Sequence, residues 1–112
     1  MADAAEIVQR WRKRVPPEVP KEDVLKVVEA YFPGSYELTS GSSHFLIVKH
    51  EALRIAHERG FSASFPGGRL SLSHTRGRYV KKYLIQNLLE AIDVREAFDR
   101  VQGTTGEAGR GQ

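Results

Sequence analysis

The stretch Gly41-Ser42-Ser43-His44-Phe45-Leu46-Ile47-Val48 organises the reading of the chain: a glycine-serine turn delivers a histidine to the mouth of an apolar strand. The glycine and serines allow a sharp turn and leave room for something large, such as a nucleotide, to approach. Histidine is the side chain whose unperturbed pKa lies near neutrality. Held at a loop-to-strand junction, it can take a proton from a bound substrate or give one to it. The same residues also suit an ordinary surface turn, so the flanking pattern has to separate the two readings.

Upstream, Lys21 to Phe32 places Val24, Leu25, Val28, Tyr31 and Phe32 at helical spacing with charges opposite. Pro20 with Glu22 and Asp23 suits a helix start, and Pro33-Gly34 a stop. Downstream, Arg69-Leu70-Ser71-Leu72-Ser73-His74 alternates like a half-buried strand, and a second amphipathic helix is expected from about Arg78 to Ile92. The order is helix, strand, histidine strand, strand, helix.

That order, with the Gly-Ser-His turn, resembles the HicA family of messenger-RNA-cleaving toxins. The resemblance covers about Lys21 to Ile92. It rests on the first helix, on Tyr36 to Phe45, on Leu72-Ser73-His74 and on Val80-Lys81-Lys82-Tyr83-Leu84. It implies an α+β domain like the double-stranded-RNA-binding fold, with a three-stranded antiparallel sheet and two helices on one face. It also implies a metal-independent endoribonuclease with one catalytic histidine, no cofactor, messenger RNA as substrate and a HicB-like antitoxin as protein partner. The chain departs from the family in two places. A second serine intervenes before His44, so Ser43 or His44 occupies the catalytic position, and only His44 has the chemistry. The connection His50 to Gly68 replaces a short hairpin turn, and bears on activity if it covers the site.

The residues give the chemistry its own logic. A base that removes the RNA 2′-hydroxyl proton lets that oxygen attack the adjacent phosphate, and negative charge then gathers on the phosphoryl oxygens. His44 is the candidate catalytic group. Ser42 and Ser43 can hold the phosphate, and Arg76, Arg78, Lys81 and Lys82 are the candidate cations. His74 is either a second acid–base group near His44 or a strand-end residue satisfied by backbone hydrogen bonds. Tyr79 is open between base stacking and a surface position, whereas Tyr83 is expected in the core with Leu84 and Leu88. His50 and His57 do not make a metalloprotease spacing, and no metal site is expected.

Composition narrows the classes. A chain of 112 residues fits one domain with a modest core. The absence of cysteine excludes disulfides and thiolate metal sites and fits a reducing, cytoplasmic location. Met1 to Arg14 lacks the apolar run of a signal peptide, and no stretch has the length to cross a membrane. The net charge of +3 is mild, but Arg69 to Lys82 carries five cationic residues and no acidic one, as a phosphodiester partner would require.

The remaining segments divide the chain. Residues 1–20 read as an amphipathic helix, Ala4 to Arg14, followed by a proline-rich extended linker. Trp11 either packs on the domain or docks on a partner. Residues 21–101 form the HicA-like domain, and residues 102–112, rich in Gly and Thr, read as a disordered tail. Within the insertion, Glu51 to Arg59 is a short helix stopped by Gly60, with a strand as the competing assignment. Phe61 to Phe65 and Arg69 to Ser73 around Pro66-Gly67-Gly68 read as an inserted hairpin. Two other functions share these features: a non-catalytic RNA-binding module, and a protein-interaction domain in which the basic turn is incidental.

Overall fold

Strand β3 (His44–Lys49) is the centre of a three-stranded antiparallel sheet, flanked by β2 (Tyr36–Leu38) and β4 (Arg69–Ser73). The computed structural model describes residues 3–39, 44–75 and 78–110. Tyr36 faces Val48 across one ladder, and Val48 faces Leu70 across the other. Side chains alternate across a strand, so Leu46 and Val48 share a buried face with Leu70 and Leu72, while Glu37 and Lys49 pair outside at 3.0 Å.

That face is covered by α2 (Lys21–Tyr31) and α4 (Lys82–Arg110). Val24, Val27, Val28 and Phe32 from the first, and Ile85, Leu88 and Ile92 from the second, join the strand residues in one buried cluster. Ile85 and Ile92, whose stripe suits a core or an interface in sequence, are core. Helix α1 (Ala4–Lys13) is capped by the Asp3 carboxylate, which accepts from the Glu6 N–H at 2.9 Å. It sets Ile7, Val8 and Trp11 into the same core, and Arg12 grips Asp93 of α4 at 2.7 Å. Trp11 is therefore a packing residue.

Several expectations need correction. The extended linker ends in a short strand, β1 (Glu18–Pro20), which pairs antiparallel with β5 (Tyr79–Lys81). The last helix thus begins at Lys82 rather than about Arg78, because Tyr79 to Lys81 satisfies its backbone in this second ribbon. The helix bounds run to Arg110.

The insertion is helical where a helix was read: α3 spans Glu51–Glu58. No inserted hairpin forms. Pro66–Gly68 is a single 3₁₀ turn, and the strand that pairs with β4 is β3. The large-small alternation of Phe61 to Phe65 has another cause. Ser62 and Ser64 turn toward α4, where their hydroxyls donate to the Glu90 carboxylate at 2.6 and 3.2 Å. Phe65 is buried in a left-handed backbone conformation, and Phe61 stands in solvent. Among the described residues no helix is long and apolar enough to cross a membrane.

Candidate functional site

The ladder between β3 and β4 slips at the end where the histidine enters. His44 lies opposite Ser73 and Leu46 opposite Leu72, so β3 carries one residue more than its partner. The extra residue is Phe45, and a bulge of this kind re-aims the side chains around it. Phe45 and Leu46 are consequently both buried although adjacent. Backbone pairing thereby brings His44 within one register step of His74, which directly follows Ser73.

His74 is held on both sides. Its ring packs against Phe45 with centroids 5.4 Å apart, and its Nδ1 donates to the Thr75 carbonyl at 2.8 Å. A proton fixed on Nδ1 leaves Nε2 of the neutral ring as an acceptor. The same Thr75 carbonyl accepts the Arg78 N–H at 2.9 Å, and the Thr75 N–H donates to Tyr79 O at 2.8 Å. Arg78 closes this tight loop in a left-handed conformation, φ 64°. Its own carbonyl accepts the Lys21 N–H at 3.0 Å, which pins the start of α2 to the loop.

Lys21 is the residue that sequence reading missed. Its ammonium lies 5.7 Å from the centre of the Phe45 ring, whose neighbour on another side is His74. In sequence it is one lysine among helix-face charges, 23 positions before His44. Only the pairing of β1 with β5 brings it beside the loop. Lys81 ends β5, and Lys82 begins α4; both are exposed, as is Arg78. Ser42, Ser43 and Arg76 lie outside the described residues.

The other histidines are structural. His50 caps α3: its Nδ1 accepts the Ala52 N–H at 3.0 Å, and its ring sits edge-on to Phe32 and Phe98. Burial, followed by the nearby Arg95 charge, pushes its pKa down. His57 Nδ1 donates to the Ser64 carbonyl at 3.1 Å. Among the described residues no three His, Cys, Asp or Glu side chains gather into a metal-binding group.

The insertion leaves β3 at the opposite end from His44, a separation of about 17 Å at strand rise. It packs on the far half of α4, where a groove of about 300 Å³ is lined by Ile55, Phe61, Val94, Phe98 and Val101. Phe98 lies about 24 Å along the helix from Lys82. That groove and the backbone pairing of His44 with Ser73 are thus at different ends of the molecule, and the long connection departs from the end of the sheet away from His44. Tyr83 is not in the core as expected: it is 58% exposed, because α4 starts later and turns Leu84 and Ile85 inward instead. Tyr79 is 42% exposed.

Compared with known proteins, the chain matches no family model, no curated sequence and no solved structure.

Proposed function

We propose that this protein is a metal-independent ribonuclease of the HicA type, a cytoplasmic toxin that cuts messenger RNA and is held in check by a HicB-like antitoxin. The observation that carries the reading is the backbone adjacency of His44 and His74 at one end of the sheet, with Lys21 and Arg78 bonded into the same loop. The succession α2, β2, β3, β4, α4 supports a scaffold like the double-stranded-RNA-binding fold, with α3 inserted between its last two strands.

In the proposed reaction His44 takes the 2′-hydroxyl proton. The 2′-oxygen bonds to phosphorus, the P–O5′ bond breaks, and His74, entering as the imidazolium with a proton on each ring nitrogen, gives its Nε2 proton to the leaving 5′-oxygen. The products are a 2′,3′-cyclic phosphate and a 5′-hydroxyl end. Lys21, Arg78, Lys81 and Lys82 offset charge on the phosphoryl oxygens, a contribution that grows as water is excluded. Ser42 and Ser43, which precede His44 in sequence, would hold the phosphate.

The reading is tested by inducing the wild-type chain and His44→Ala in bacterial cells while following growth and total messenger RNA. Growth arrest with RNA loss for the wild type alone is the expected result. Folded, soluble wild-type protein that leaves both unchanged contradicts the toxin reading.

A further inference from the structure

The basic end of the molecule carries aromatic rings that the core does not use. Tyr79 opens β5 and Tyr83 lies in the first turn of α4, with Lys81 and Lys82 between them. All four side chains are exposed, while Val80, Leu84 and Ile85 around them are fully or almost fully buried. The ribbon of β1 and β5 therefore turns Tyr79 and Lys81 outward together, opposite Pro20 and Glu18. Glu18 is the one acidic residue in those register positions.

We infer that this surface binds RNA as an unpaired strand, with Tyr79 and Tyr83 stacking on exposed bases while Lys81 and Lys82 meet the phosphates between. The inference rests on the RNA reading above and adds the form of the substrate. A duplex offers phosphates but keeps its base faces stacked, so exposed tyrosines gain little from it. An unpaired strand offers both, and every base has a face to stack on. The order ring, cation, cation, ring along Tyr79, Lys81, Lys82 and Tyr83 matches that pairing of needs. Both rings are anchored on regular elements, so they are presented without ordering a loop on binding.

The test uses a short single-stranded RNA and the blunt duplex of the same sequence, both 2′-O-methylated so that neither is cut. Affinity is read by fluorescence anisotropy at fixed low salt. The wild type is expected to bind the single strand at least about tenfold more tightly. Tyr79→Ala and Tyr83→Ala are each expected to lose about tenfold on that strand, with Tyr→Phe at either position retaining it. Duplex affinity should be unchanged in all variants. Equal affinity for the two probes, or indifference of the single strand to both rings, overturns the inference alone and leaves the rings to a protein partner. Failure of the wild type to bind either probe overturns it together with the RNA reading.

Discussion

The Nδ1 of His74 donates to the carbonyl oxygen of Thr75 at 2.8 Å, and that same oxygen closes the loop that holds Arg78. Orientation of the imidazole and placement of a cation are thus fixed by one backbone atom. A general acid anchored through Nδ1 and carrying its transferable proton on Nε2 contributes typically about 10²–10⁴-fold to a proton-transfer step. His74→Ala should therefore lower kcat for RNA cleavage by about 10²-fold or more with little change in KM. Single-turnover cleavage beside direct binding separates the two; a change in KM alone would reduce His74 to a binding role.

Lys21 touches Phe45 and is tied through its N–H to Arg78. Each lysine that meets a phosphate of a single strand contributes about 0.7 to the dependence of log affinity on log salt. On a non-cleavable single-stranded RNA, Lys81→Ala with Lys82→Ala should reduce that slope by about 1.4, and Lys21→Ala by about 0.7. Lys81 and Lys82 are exposed, so their removal should leave the unfolding free energy within about 0.5 kcal/mol of wild type, read by urea denaturation.

His50 makes stability depend on pH. Its pKa lies below the ordinary value of 6.5 in the folded chain, chiefly through burial, with Arg95 adding to it and Asp99 and Glu51 opposing. Below 6.5 the unfolded chain binds the proton more readily, so stability falls with acidification until the folded pKa is passed, and is level above 6.5. Protonation also turns Nδ1 into a donor facing the Ala52 N–H, which removes the cap on α3. Urea denaturation between pH 5 and 7.5 should show this slope. His50→Asn, whose side-chain oxygen can cap without titrating, should flatten it.

Gly68 sits at φ +77°, and a Cβ there would meet Arg54 Cβ at 2.9 Å and the His50 carbonyl at 3.0 Å. The left-handed backbone costs a residue other than glycine about 1–2 kcal/mol, and the clash adds to it. Gly68→Ala should therefore destabilise the chain by about 2 kcal/mol or more, read from the urea midpoint. Gly67→Ala, at φ +70° with open space around its Cβ, should cost only the backbone term.

The hydrophobic periodicity of Ala4 to Lys13, Lys21 to Tyr31 and Arg69 to Ser73 was legible because each of these elements buries one face, and burial writes itself into sequence at period 3.6 or 2. What stayed hidden depended on long-range partners. Glu18 to Pro20 carries no strand pattern; it is a strand because Tyr79 to Lys81 pairs with it across the fold. Phe61 to Phe65 carries a strand pattern but is not one, since its serines answer Glu90 of α4. At the site, the histidines and basic residues were visible as types. The approach of Lys21 to the Phe45–His74 stack was not, because it follows from the β1–β5 ribbon and the bulge at Phe45.

The most direct measurement is cleavage of a messenger RNA by the purified chain in the presence of a metal chelator, with the termini mapped, beside His44→Ala. A metal-independent ribonuclease acting through His44 leaves 2′,3′-cyclic phosphate and 5′-hydroxyl ends, and the variant, folded and still able to bind RNA, leaves the substrate intact. Cleavage by His44→Ala at the wild-type rate, or wild-type protein that binds RNA and never cuts it, would contradict the assignment.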